Sequence, residues 1–275
     1  MPRVSVVMPV YNASAFLREA IDSVVRQTFT DWELIVVDDC STDNSRQIVE
    51  TYSDQRIRPL YRAQNGGVVA ATNDGLHAAR GEYIAIMHAD DISHSERLVS
   101  EVAWLDAHPE HAVVAAFIEM INESGTPCGT WSLDRSVTSP AAIRSHMLVE
   151  NCIAHSSVLM RGEVVRRYGY DAGQQKKGFA VEDYGLWLEL LSDGYAFGKI
   201  ERTLLYYRMH QQSATSTHLR RNNPYLINYE TKKMYLHRVQ AKRPLNGFDR
   251  HLRRRMYLDY LMAMGKELKR KIKGR

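Results

Sequence analysis

Two pairs of adjacent carboxylates, Asp38-Asp39 and Asp90-Asp91, each close an apolar run. Neighbouring carboxylates raise each other's pKa and are costly at the end of a buried strand unless something neutralises them. A divalent cation does that, and hard oxygen ligands suit Mg²⁺ or Mn²⁺. Such an ion would bridge a diphosphate and take up charge on a leaving group. The plainer alternative for Asp90-Asp91 is a solvated loop capping a helix expected over 93–105. A second acid pair at a neighbouring strand edge tips the balance toward a site. Asp38-Asp39 runs into Cys40-Ser41-Thr42-Asp43-Asn44, a turn-forming stretch. One of its carboxylates is also suited to accept the N3–H of a uracil-type base.

The elements that must carry these acids follow from periodicity. Short apolar runs predict strands over 4–8, 33–37, 57–61 and 83–87. Helical spacing predicts helices over 15–28 behind Ser14 as cap, over 44–52 and over 68–79. This alternation implies an α/β fold with a doubly wound, mostly parallel sheet. Such sheets bind ligands at the carboxyl ends of their strands. Pro9-Val10-Tyr11-Asn12, Asp38-Asp39 and Asp90-Asp91 should therefore project from one edge. Residues 113–212 read as shorter strands plus a helix over 182–192, striped by Leu186, Leu190 and Leu191. From about residue 219 the pattern is helical again.

Composition narrows the class. The chain has 275 residues, 44% hydrophobic and 25% charged, as in an ordinary globular protein. No run approaches a membrane span, and Val4 to Met8 starts a strand at once where a secretory leader would lie. The three cysteines, Cys40, Cys128 and Cys152, show no CxxC spacing and fit a reducing compartment. A cytoplasmic protein is expected. A dinucleotide-binding GxGxxG and a Walker-type GxxxxGK[ST] are both absent. A nucleotidyltransferase would want a glycine-rich, Lys-bearing loop near the N-terminus, and none is there.

A series of segments in register resembles family-two glycosyltransferases over roughly residues 3 to 216. It opens with Val4-Ser5-Val6-Val7-Met8-Pro9-Val10-Tyr11-Asn12, Ser23-Val24-Val25-Arg26-Gln27-Thr28 and Glu33-Leu34-Ile35-Val36-Val37-Asp38-Asp39-Cys40-Ser41-Thr42-Asp43. Asn65-Gly66-Gly67, Ala71-Thr72-Asn73-Asp74-Gly75, Gly81-Glu82-Tyr83-Ile84-Ala85 and Ala89-Asp90-Asp91 follow. Ala154-His155-Ser156-Ser157, Glu182-Asp183-Tyr184-Gly185-Leu186-Trp187 and Leu205-Tyr206-Tyr207-Arg208-Met209-His210 complete it.

The resemblance implies a GT-A fold, a nucleotide-sugar donor (usually UDP), a Mn²⁺ or Mg²⁺ cofactor and inverting transfer to a saccharide or lipid-linked hydroxyl in surface polysaccharide synthesis. It implies a transferase domain over 1–218, with a nucleotide half (1–112) and an acceptor half (113–218); the helical pattern beyond it predicts an extension over 219–275. Pro9, Val10, Tyr11, Asn12, Asp39, Arg62, Asn65, Gly67 and Asp90 would hold the donor. Asp91, with Asp90 and His210, would hold the metal, Asp91 as the direct ligand. Asp183 would be the general base, in a helical first turn whose dipole favours its anion. His155, Ser156, Glu182 and Trp187 fall on the acceptor side, although a Trp at helical spacing is more often core. His88 stands where relatives carry an Asp, so it either joins the metal shell, favouring Mn²⁺, or supports it from behind. Cys40 replaces a common Gly. A degenerate protein that binds nucleotide-sugar without turnover is the alternative.

The net charge of +4 hides an asymmetry. From Lys232 to Arg275 there are 15 Lys or Arg against 3 Asp or Glu, a local charge of +12 that leaves the rest at −8. Leu252, Met256, Tyr260, Met264, Leu268 and Ile272 recur at helical spacing among basic residues, with Tyr257 and Leu261 beside them. An amphipathic basic helix of this kind packs on its own domain, pairs with a second copy, or lies on an anionic membrane. Nucleic acid is not expected, because aromatic interleaving and nucleic-acid motifs are lacking.

Overall fold

A computed structural model describes residues 1–171, 182–211, 213 and 223–273, with side chains to 269. The strands are β1 (Val4–Val10), β2 (Trp32–Asp38), β3 (Ile57–Tyr61), β4 (Tyr83–Ile86), β5 (Ile92–Ser93), β6 (His111–Ile121), β7 (Pro127–Gly129), β8 (Val158–Arg161) and β9 (Ala196–Arg208). The helices before residue 172 are α1 (Leu17–Val25), α2 (Ser45–Glu50), α3 (Gly67–Ala78), α4 (Arg97–Ala107), α5 (Ser132–Ser136), α6 (Pro140–His146) and α7 (Gly162–Tyr168). Beyond it lie α8 (Glu182–Ser192), α9 (Pro224–Gln240) and α10 (Gly247–Lys273). The expected boundary at 218/219 lies outside the described residues.

The described strands form one sheet in the order β3-β2-β1-β4-β8-β6-β9-β5, with β7 beside β6. β3, β2, β1 and β4 are parallel, as the βα alternation requires. The expectation of a mostly parallel sheet fails beyond β4, where β8 runs antiparallel to both β4 and β6. β6 and β9 are parallel again, but long rather than short, at 11 and 13 residues. The fold is a mixed α/β sheet covered on both faces.

Strand alternation divides the core into two layers. Val7, Ile35 and Val37 face α3 and α8, whereas Val6, Met8, Leu34 and Val36 face α1 and α4; all seven are at most 1% exposed. Each such side chain contributes about 1.5–3 kcal/mol of burial. Gly75 lets α3 close on the sheet, because a Cβ there would sit 2.4 Å from Val7 Cγ1. Ser14 is not the cap of α1: its N–H donates to Asp43 Oδ2 at 2.9 Å, and α1 starts at Leu17 without a side-chain cap.

The basic extension packs into the same core. Tyr235, Leu236 and Val239 of α9 and Phe248, Leu252 and Met256 of α10 join the layer that holds Trp187 and Leu188. Lys232 and Asp259 form a buried pair at 2.5 Å, and Lys232 Nζ also donates to the Val149 carbonyl at 2.7 Å. The inward face of α10 is not the predicted stripe. Leu252 and Met256 are buried with Asp259 and Ala263, whereas Tyr260, Met264 and Leu268 are 41%, 53% and 61% exposed. Ile272 lies beyond the described side chains.

Candidate active site

The loops after β1, β2 and β4 meet on one sheet edge, as parallel pairing demands. Val10 is in register with Asp38, and its carbonyl accepts the Asp39 N–H at 2.8 Å. Pro9 and Val10 sit within β1, while Tyr11 beyond them is 52% exposed. Asn12 and Cys40 both have left-handed backbones, at φ 49° and 63°. Asn12 Oδ1 accepts the Thr42 N–H at 2.8 Å, tying the first loop to the second.

Asp39 gathers three of the predicted donor residues. Arg62 forms a close ion pair with it, Gly66 and Gly67 N–H groups donate to it at 2.9 and 2.6 Å, and Asn65 Nδ2 donates to its carbonyl at 3.2 Å. Gly67 takes φ 79° to begin α3, a conformation glycine supplies without strain. Arg62 also donates to Asp74 at 2.7 Å. The Asp39 carboxylate is thus filled by the chain's own donors. Asp38 Oδ1 beside it is buried with no hydrogen-bond partner among the described residues.

Beyond β4, His88, Asp90 and Asp91 bring ligand atoms within 4.8 Å of one another. Asp91 is 1% exposed and accepts from Ser156 Oγ at 2.5 Å and the Arg208 N–H at 2.9 Å. Burial and the charge of Asp90 push its carboxyl up to about 8, against the pull of those two donors and Arg97. Burial acts upward on Asp90 too. There the His210 hydrogen bond, 2.9 Å to Asp90 Oδ2, and the nearby His88 charge win, so Asp90 lies below the ordinary carboxylate range. Two carboxylates and an imidazole at this spacing are a donor set for a divalent cation, whose charge would reverse the upward shift of Asp91.

The residues expected on the acceptor side lie across the β4–β8 seam. Asp183, in the first turn of α8, accepts from Asn151 Nδ2 and the Tyr184 N–H, both at 2.7 Å. Burial raises it to about 6 despite these donors, so desolvation outweighs the helix dipole expected to favour its anion. Glu182 rises to about 7 through burial and the charge of Asp183.

Three acceptor-side expectations need correction. Ser156 is fully buried and serves Asp91, so it does not line an acceptor surface. His155 is 6% exposed and stands behind the site, with Nδ1 3.3 Å from His88 Nε2 and Nε2 2.7 Å from the Tyr170 hydroxyl. Burial, with the His88 charge, holds its pKa well below the usual histidine value. Trp187 is 0% exposed, edge-on to Phe197 at 5.5 Å, and has no free face for a sugar.

Sequence reasoning passed over Arg208 and Asn151. Arg208, 1% exposed, donates to the Asp90 carbonyl at 2.8 Å, the Glu123 carbonyl at 2.9 Å and Glu19 at 2.5 Å, fastening three segments around the acid pair. Its signal was an arginine ending an apolar strand two residues before His210. Asn151 lies in a loop without periodicity and carries no such signal.

The mixed α/β sheet thus places an acid pair at the carboxyl ends of its parallel strands and a second carboxylate site across its seam, an arrangement suited to group transfer. Residues 5–142 match the family model for glycosyl transferase family 2, and the chain belongs to that family. WfgD of Escherichia coli, a UDP-Glc:alpha-D-GlcNAc-diphosphoundecaprenol beta-1,3-glucosyltransferase, is 31% identical over 191 residues, covering 69% of this chain and 70% of WfgD. The uncharacterized glycosyltransferase MJ1057 of Methanocaldococcus jannaschii is 27% identical over 238 residues, 85% of this chain and 79% of its own. The fold matches residues 1–349 of S. aureus TarS in complex with UDP, with a TM-score of 0.67 at 19% identity over 93% of this chain and 70% of that fragment. It also matches the mannosyltransferase PcManGT of Pyrobaculum calidifontis, in complex with GDP-Man and Mn²⁺, with a TM-score of 0.64 at 18% identity over 94% and 70%.

Proposed function

We propose that this glycosyltransferase moves a sugar from a UDP-sugar to a hydroxyl of a saccharide or lipid-linked saccharide, with inversion, in polysaccharide assembly. The observation carrying this reading is the pairing of the His88, Asp90 and Asp91 cluster with Asp183, a carboxyl raised to about 6, across the seam. The UDP-Glc donor and diphosphoundecaprenol-linked acceptor in the name of WfgD support the substrate classes.

In this reading the nucleoside rests along Pro9 to Asn12 with its base at Asp39, which requires Arg62 to share or leave that carboxylate. Asp90 and Asp91, with His88 beside them, would hold a Mn²⁺ or Mg²⁺ ion, which would supply positive charge to offset the diphosphate, and His210 steers Asp90. Asp183 takes the proton of the acceptor hydroxyl while that oxygen bonds to the anomeric carbon. The bond from that carbon to the diphosphate breaks, and UDP leaves with the electron pair. Glu182 supports Asp183 at the acceptor.

UDP release from a UDP-sugar panel with Mn²⁺, compared between wild type and Asp183→Asn, tests this. Turnover in wild type and its loss in the variant, with donor binding retained, is the expected result. Donor binding in both proteins without turnover in either would leave a nucleotide-sugar-binding protein instead. A dTDP-sugar in the panel checks the choice of base.

A further inference from the structure

The outward face of α10 carries a feature the transfer reaction does not use. Eleven large hydrophobic side chains are exposed among the described residues, and seven of them lie on α10. Tyr257, Leu261, Met264 and Leu268, between 53% and 64% exposed, follow i, i+4, i+7, i+11 spacing and form one stripe. It points away from the face that buries Leu252, Met256, Asp259 and Ala263. Patches of this kind on a folded surface mark a partner.

Charge selects the partner. Arg253 and Arg254 flank the head of the stripe and Lys269 its tail, all exposed, and the sequence continues with Arg270, Lys271 and Lys273. At the start of α10 a hollow of about 610 Å³ is lined in part by Lys242, Arg250 and Arg253. The acids of the helix do not balance these cations: Asp249 and Asp259 are buried in internal pairs, which leaves Glu267. A second copy docked along the stripe would bring like charge against like charge. No helix of the described residues is long and apolar enough to cross a membrane.

We propose that α10 lies in the plane of an anionic lipid surface, with Tyr257, Leu261, Met264 and Leu268 entering the headgroup–acyl boundary and the flanking cations meeting lipid phosphates. An in-plane helix needs this combination of apolar stripe and basic flanks. The proposal is independent of the donor, the acceptor and catalytic turnover.

The test is flotation of the full chain with vesicles of phosphatidylglycerol and phosphatidylcholine, or of phosphatidylcholine alone. Wild type should float with the anionic vesicles only, and less at high salt. Leu261→Glu/Leu268→Glu should abolish flotation with melting temperature unchanged, since both side chains are exposed. Arg253→Gln/Arg254→Gln should weaken partitioning roughly thirty-fold, from about 1 kcal/mol per cation near an anionic surface. Absence of wild-type flotation, or flotation unaffected by the Leu substitutions, overturns the proposal. A dimer by light scattering that the Leu substitutions dissociate assigns the stripe to a second copy and overturns it equally.

Discussion

His88 Nε2 stands 3.3 Å from His155 Nδ1, and His155 Nε2 stands 2.7 Å from the Tyr170 hydroxyl. When His88 donates through Nε2, its Nδ1 lone pair is left on the side of Asp91, whose Oδ2 is 3.8 Å away. A ring fixed in this way is oriented for a cation by its outer hydrogen bond. His155→Ala is therefore expected to lower Mn²⁺ affinity about 10–100-fold, the usual cost of losing such a partner. Manganese resonance titration of the free protein measures it. His88→Asp, which supplies a harder oxygen ligand, should move the preference toward Mg²⁺. Unchanged Mn²⁺ binding in both variants would remove His88 from the metal shell.

Asp183 must be deprotonated to act as a base, and burial raises it to about 6. Activity should then climb as pH rises through about 6 and level off above it. Asp183→Asn should cost about 10²–10⁴-fold in turnover, the range for general-base catalysis. Asn151→Leu removes a donor to the anion, so the midpoint should move to higher pH. A pH profile in Asn151→Leu identical to wild type would show that Asn151 does not tune the base.

Cys40 holds φ 63°, a region that costs a non-glycine residue about 1–2 kcal/mol. Glycine loses more chain entropy on folding, by about 0.5–1 kcal/mol. Cys40→Gly should still stabilise the protein by a net ~0.5–1 kcal/mol, read as a higher thermal midpoint. A lower midpoint would mean that the Cys40 side chain contributes more than its backbone costs.

The parallel half of the fold was legible because β1, β2 and β4 are mainly apolar, with Ser5 and Glu33 as the only polar residues before the motif that follows each run. β9 was not, because Lys199, Glu201 and Arg202 interrupt it. Lys199 is buried there only because Asp134 Oδ1 and the Cys152 carbonyl take its charge at 3.0 Å each, partners far off in sequence. Register shifts against β6 further disguise the strand. For α10, apolar residues occupy two faces, and periodicity does not say which turns inward. The choice is made by Asp249 and Asp259, which bury through Arg243, Tyr235 and Lys232. The acid pair was readable from its spacing, whereas its donors Ser156 and Arg208 come from the other half of the chain.

The Lys232–Asp259 pair fastens α9 to α10. Lys232→Met leaves a buried carboxylate near Arg255 alone, and should destabilise by about 3–5 kcal/mol. Lys232→Met/Asp259→Leu should recover most of that loss. Denaturant unfolding of the two singles and the double measures the coupling. Additive losses would show that the helices are held by their apolar contacts.

The hydrogen bond from Ser156 to Asp91 crosses the line where the sheet turns from parallel to antiparallel. The family match at residues 5–142 stops short of both Ser156 and Arg208. A chimera cut at that boundary would set the acid pair against a foreign segment that must supply both a hydroxyl in the place of Ser156 and, in register, the backbone N–H that Arg208 gives to Asp91. Exchange of segments between such enzymes therefore keeps the acid pair intact only when Ser156 and the Arg208 side chain, which holds the Asp90 carbonyl, travel with the strands that end on it.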